Sequence, residues 1–153
     1  MGLGSLGSAY YALGQLELTI DYSQQAIVLS REMGDRYDEL VWLGNLGTTF
    51  LDLEDLQSAA AYYEQALGIR RETGNPSGEA LTLMGIAGVL AKQGDYDRSR
   101  PHYQQCLDLF RQIEDKVGEI EALSFLSLLY HQLGEDEAAL EHGQLALDIA
   151  QQI

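Results

Sequence analysis

The 153 residues are enough for one domain with a continuous core, and a hydrophobic fraction of 46% excludes a disordered tail. The net charge is −15, from 24 acids against 9 bases, a surface that repels phosphate backbones and anionic lipid head groups; neither nucleic acid nor a membrane surface is expected as a partner. A single cysteine, Cys106, excludes a disulfide within the chain and fits a reducing, cytoplasmic setting. No apolar run reaches the ~18–20 residues that span a bilayer. The N-terminus lacks the basic region of a signal peptide, and Leu6 stands where a myristoylation signal wants Ser or Thr.

In chain order, the apolar spacing predicts eight helices, at 1–13, 16–33, 36–52, 55–73, 76–93, 95–114, 116–132 and 135–152. The first ends at Gly14 and the second at Gly34, with Asp35 as the next N-cap. In the third, Leu43, Leu46, Phe50 and Leu53 form one stripe; in the fourth, Leu56, Ala59, Tyr63, Ala66 and Leu67 do the same. Gly74 ends the fourth. Asn75 then caps the fifth, with Pro76 at its first position, where no hydrogen bond is lost. Gly94 and Asp95 separate the fifth from the sixth, in which Pro101 is expected to bend or delay the helix. Asp115 caps the seventh, and Gly134 ends it.

These helices repeat in pairs with a period of 40 and no gaps. Leu3, Leu43, Leu83 and Leu123 share one register; Tyr10, Phe50, Leu90 and Tyr130 share another. Small residues recur at Gly7, Gly47, Ala87 and Ser127, and again at Ala26, Ala66, Cys106 and Ala146. A glycine inside a helix costs about 0.5–1 kcal/mol relative to alanine, and close packing of two backbones is the expected compensation. The expected architecture is one all-α domain over 1–153, an α-solenoid of four helix-turn-helix units at 1–35, 36–75, 76–115 and 116–153.

The pattern resembles the tetratricopeptide repeat, whose first helix carries a bulky residue, then Leu-Gly, then Tyr, and whose second carries Ala, an aromatic and Ala. Unit two matches with Leu43, Leu46-Gly47 and Phe50, then Ala59, Tyr63 and Ala66. The 40-residue period, longer than the family's usual 34, looks like that of Leu-Gly-Asn-type adaptors, kinesin light chains and bacterial regulators. Ser23 and Gly143 depart from the pattern where an aromatic is usual. The resemblance implies a right-handed superhelix whose concave face, lined by first helices, takes a peptide or helix of another protein. Relatives of the adaptor type carry Asn at one first-helix position, and Asn45 alone matches it here.

The first-helix face opposite the packing stripe supplies the expected partner-binding residues: Tyr11; Val41, Asn45, Thr48, Leu51 and Asp52; Leu81, Met84, Gly88 and Lys92; and Ser124, Leu128, His131 and Gln132. Its mix of apolar and small residues suits a protein or peptide of amphipathic character, and the acidic surface suits a basic one. The bland alternative is that these side chains only pack neighbouring helices. Trp42, the only tryptophan, fits inter-repeat packing better than an anchor for a ligand.

Nothing in the sequence forms a catalytic or metal-binding constellation. Residues 2–7 spell G-x-G-x-x-G, but no strand precedes them and the segment recurs in repeat register at Leu43. His102, His131 and His142 lack metal-ligand spacing, and Asp52, Glu54 and Asp55 lack the glycine and terminal glutamate of a calcium loop. Cys106 occupies a packing position. Arg98 and Arg100, beside His102, are read as ordinary surface arginines. An enzyme is therefore not expected, and no cofactor or metal is assigned.

The first unit is clipped at Met1 and the last stops within helix, so two expectations follow: an excerpt of a longer protein, or open ends that stack on another copy. Leu147 and Ile149 would then carry homo-oligomer contacts. The functional expectation is a binding scaffold for a polypeptide, with self-association, or a sensor segment of a larger regulatory protein, as the alternatives.

Overall fold

An aspartate or asparagine recurs every 20 residues from Asp35 to Asp115, and each one starts a helix. The side chains of Asp35, Asp55, Asn75, Asp95 and Asp115 accept from the backbone N–H of Asp38, Ser58, Gly78, Arg98 and Gly118, satisfying a donor that the helix itself leaves unpaired. The protein is known here as a computed structural model that describes residues 9–153. Residues 9–12 are helical (α1). They are followed by α2 (Leu16–Met33), α3 (Arg36–Asp52), α4 (Leu56–Glu72), α5 (Pro76–Lys92), α6 (Tyr96–Gln112), α7 (Lys116–Gln132) and α8 (Asp136–Ala150). No strand occurs among the described residues, and none of their helices is long and apolar enough to cross a membrane.

Helix α6 starts at Tyr96 and runs unbroken through Pro101 to Gln112, so the proline does not delay it. The Asp95 cap holds the first turn, and burial of Ser99, Tyr103 and Phe110 holds the rest. The G-x-G-x-x-G segment lies outside the described residues.

The chain forms two compact units, the first ending at Thr73 and the second beginning at Gly74. In the first, α2 and α3 pack together, as do α3 and α4. Its core joins Ala26 and Ile27 to Leu40, Leu43, Leu46, Ala66 and Ile69, and Trp42 is buried among them. In the second, α5 pairs with α6, α6 with α7, and α7 with α8, around Leu83, Ile86, Leu123 and Leu126, all nearly inaccessible.

Contacts of four kinds hold the helices together, three of them recurring in repeat register. Aromatic residues of the first helix meet a ring of the second: Tyr10 stacks on Tyr22, Phe50 on Tyr62, and Tyr130 tilts against His142. Gly47 lies under the Tyr63 ring, where a Cβ would fall 2.6 Å from a ring carbon. Hydroxyls tie the other pairs, with Ser99 Oγ donating to the Ala87 carbonyl and Ser127 Oγ to the Ala139 carbonyl, each at 2.7 Å. The fourth contact is ionic. Buried Glu39 accepts from Arg31 Nε at 2.7 Å and Arg36 Nη1 at 2.9 Å; buried Glu119, 80 residues on, accepts from Arg111 Nε at 2.8 Å and Lys116 Nζ at 2.9 Å. Each clamp ties a second helix to the first helix of the next repeat.

Five glycines in the turns, Gly14, Gly34, Gly74, Gly94 and Gly134, take positive φ, as helix-terminating residues do. Two turns in the same series carry glutamate: Glu54 at φ 59° and Glu114 at φ 58°. A Cβ is disfavoured there. The variants Glu54→Gly and Glu114→Gly are each expected to raise stability by about 0.5–1 kcal/mol, seen as a higher denaturant midpoint at unchanged m.

Burial opposes ionisation of Glu119, but hydrogen bonds from Arg111 and Lys116 outweigh it and hold the carboxyl below its ordinary range. A lowered folded pKa stabilises fully above the ordinary value, and the gain is lost as pH falls through the folded one. Glu119→Gln should cost about 1–3 kcal/mol at neutral pH. In denaturation series, that deficit should vanish as the pH falls through the folded pKa of Glu119.

Candidate functional site

Helices that bury one stripe must present another, and the remaining face of each first helix is set by the contacts above. None of the sequence-selected face residues is buried. Tyr11, Thr48, Asp52, Leu81, Lys92, Ser124, Leu128, His131 and Gln132 are exposed; Val41, Asn45, Leu51, Met84 and Gly88 are half-buried.

In the first unit, this face is knit across two repeats. Tyr11 on α1 donates its hydroxyl to Asp52 Oδ2 at the end of α3, 2.6 Å away, and that bond, with help from burial, raises the phenol pKa. Thr48 Oγ1 lies 3.2 Å from the Tyr63 hydroxyl, so the ring that covers Gly47 reaches this face with its polar tip.

In the second unit, the face becomes a groove. A cavity of ≈330 Å³ is lined by Ala91 and Lys92 of α5, Tyr96 and Tyr103 of α6, and Phe125, Leu128, Leu129 and Gln132 of α7. Its floor is a stacked pair, Tyr103 on Phe125, with centroids 5.4 Å apart and planes 9° from parallel. Lys92, Leu128 and Gln132 were selected from sequence. Tyr96 and Phe125 were not; Phe125 stands where unit two has Asn45, and an exposed Phe in that series was the readable signal.

Beside it, between α7 and α8, lies a second cleft of ≈770 Å³, lined chiefly by Ser124, Ser127, Leu128, His131, Leu140, Gly143 and Leu147. His131 Nδ1 sits 3.0 Å from Asp136 Oδ1 on its edge. Of the two residues expected to mediate self-association, Leu147 is exposed and Ile149 half-buried.

The acidic charge lies elsewhere. Among the exposed residues of α5 and α7 the fixed charges are Lys92, Lys116 and Glu121, and Lys116 is held by Glu119. Asp97, Asp108, Glu137, Glu141 and Asp148 stand exposed on the second helices, and Glu114 and Glu135 in the turns. Arg98 pairs with Asp95 at 3.2 Å, and Arg100 with Glu135 at 3.3 Å.

A tetratricopeptide repeat profile matches residues 2–72 and 78–152. The chain belongs to the tetratricopeptide repeat family. The interval between the two matches contains the border between the two units. None of the curated proteins compared matches this tetratricopeptide repeat chain. Solved structures do. Aspartyl phosphate phosphatase F of Bacillus subtilis superimposes with a TM-score of 0.91 at 20% identity, over 98% of this chain and 39% of its own. A Rap protein bound to competence and sporulation factor gives 0.85 at 16%, over 97% and 42%. A signal transduction ATPase of Pyrococcus horikoshii with a tetratricopeptide repeat sensor gives 0.88 at 23%, over 96% and 23%. The chain thus spans less than half the length of each of these three, and they establish an all-α solenoid of repeats as its fold.

Cys106 is inaccessible, its thiol donates to the Tyr103 carbonyl, and burial pushes its pKa up to about 12. Reaction with a disulfide reagent near neutral pH should therefore be slow in the folded protein. It should accelerate with denaturant in step with unfolding; a fast reaction in native buffer would contradict this placement.

Proposed function

We propose that this tetratricopeptide repeat chain is a protein-interaction scaffold, without catalysis of its own, that binds a peptide or helix of a protein partner against its first-helix face. The observation that carries the reading is the contrast between surface and groove. In a chain of net charge −15, α5 and α7 expose few charges and present Leu81, Phe125 and Leu128 to solvent, with Met84 half-buried among them. Exposed apolar groups gathered on one face are a mark of an interaction surface, and the ≈330 Å³ groove has the size of a side-chain-anchoring site.

The chemistry favours an apolar or amphipathic segment. Tyr103 and Phe125 offer a flat aromatic floor, and Gln132 and Lys92 supply polar groups at the edge. Acids outside the groove would attract a partner with basic flanks and raise its rate of encounter. The Rap protein complexed with competence and sporulation factor is a neighbour of the same fold that holds a bound factor, which supports a binding role. The sensor reading draws support from the Pyrococcus horikoshii ATPase, and needs the same surface to report on a bound partner.

The test is capture of a partner by the immobilised protein, followed by two variants. Met84→Glu places a charge on the face, and Ala91→Trp fills the groove; neither position belongs to the fully buried core. Each is expected to weaken capture roughly tenfold or more while the helical circular dichroism and melting transition are retained. Full capture by both variants would rule out this face.

A further inference from the structure

In the second repeat, Gly47 and Thr48 together accommodate Tyr63: the ring rests on the glycine, and the hydroxyl lies 3.2 Å from Thr48 Oγ1. In the third repeat, the same two positions read Ala87 and Gly88. A Cβ at Gly47 would fall 2.6 Å from the Tyr63 ring, so the methyl of Ala87 keeps Tyr103 from lying as Tyr63 does. Tyr103 stacks on Phe125 instead. It is only 3% exposed, yet its hydroxyl is hydrogen-bonded to none of the described residues. Gly88 is the reason. The atoms that Thr48 supplies are missing there, and a Cβ would meet the Tyr103 hydroxyl at 3.6 Å and no other side chain among the described residues within 4 Å. A buried hydroxyl without a partner is costly unless something outside the fold satisfies it. This one adjoins the ≈330 Å³ groove that Tyr103 helps to line, and the walls of that groove, α5, α6 and α7, are all internal to the chain.

We propose that Gly88 and Tyr103 form a polar subsite of this groove, which takes the hydroxyl of a serine or threonine from the bound protein segment while a neighbouring apolar side chain of that segment lies on Phe125, Leu128 and Leu129. The inference deepens the first-helix reading above and rests on it. A hydroxyl is the occupant because it replaces, from outside, the group that Thr48 supplies within the second repeat, and like that group it can donate or accept. The phenol is held neutral, its pKa pushed up to about 12 by burial, and the chain's net charge of −15 opposes a carboxylate in the same place. Gly88 and Lys92 are one helical turn apart on α5, so the hydroxyl and the apolar anchor stand about 6 Å apart in the ligand.

A phage-displayed library of random short peptides, panned on the whole protein, supplies the probe, and the affinities of enriched peptides are read by fluorescence anisotropy. Tyr103→Phe removes only the hydroxyl. Gly88→Thr rebuilds the Thr48–Tyr63 pair and fills the subsite from within. Both should keep the melting transition. The enriched peptides should carry serine or threonine near an apolar residue. Each variant should weaken them roughly three- to tenfold, as should exchange of the peptide's serine for alanine, and that exchange should cost nothing further on Tyr103→Phe. Ala91→Trp reports on the groove itself. Peptides lost with Ala91→Trp but indifferent to Tyr103→Phe would overturn the subsite and leave the groove reading standing. So would a loss with Tyr103→Phe that does not depend on the peptide hydroxyl, or enrichment of aspartate and glutamate in its place, which would make Lys92 the anchor. No binder at all, or binders indifferent to Ala91→Trp, would overturn both readings.

Discussion

The ring of Tyr63 lies against the bare backbone of Gly47, and there is no room between them for a single methyl group. Close approach of the paired helices is the constraint on which the rest depends, because a helix pair held too far apart would leave both apolar stripes half solvated. The third and fourth repeats meet the constraint with different atoms. Ser99 and Ser127 each send a hydroxyl across to a carbonyl of the facing helix, one from the second helix to the first and one in the opposite sense. A serine at the glycine position in turn requires a small residue opposite, and a Cβ on Gly143 would sit 3.1 Å from Ser127 Oγ. The cleft beside α8 is thus a consequence of how the fourth pair closes.

Charge is segregated by the same geometry. The acids that satisfy helix starts occupy the turns, and those that keep the protein dispersed occupy the outer sides of the second helices. Two glutamates are exceptions. Glu39 and Glu119 are buried, and a buried carboxylate is tolerable because two cations reach each one. These clamps fix where the next first helix sits, and with it the face that Tyr11 and Asp52 present in one unit and Phe125 and Leu128 in the other. Arg36 extends the first clamp to Glu72 at 3.4 Å, a contact between exposed side chains that adds little by itself.

The helices were readable because each carries two independent marks, an apolar stripe and a cap, repeated in register. The packing roles of Trp42 and Cys106 followed from register alone. The clamps were equally visible, since arginine recurs at Arg31, Arg71 and Arg111 and glutamate at Glu39, Glu79 and Glu119. They went unread because surface charges are common and only three-dimensional burial distinguishes Glu119 from Glu121 two residues later. The continuity of α6 through Pro101 was not readable either: a proline removes one hydrogen bond, but the cap and buried rings around it outweigh that loss. Phe125 was passed over as a departure from Asn45 when it is half of the groove's floor.

A repeat fold makes its regular positions structural and leaves recognition to the irregular ones. Ser23 and Gly143 illustrate how context decides. Both stand where an aromatic is usual, and both remove the ring that would fill the repeat. Ser23 is fully buried in a unit where α3 lies against α2. Gly143 stays half-buried and opens onto a cleft walled by leucines. The same loss of a side chain is absorbed by packing in one repeat and becomes a vacancy of ligand size in the other. The aromatic pair Tyr103 and Phe125 belongs instead to the neighbouring groove between α5 and α7, which shares Leu128 with this cleft. The third and fourth repeats therefore differ from the second not in their stripes and caps but in the side chains that fill, or fail to fill, the space between paired helices.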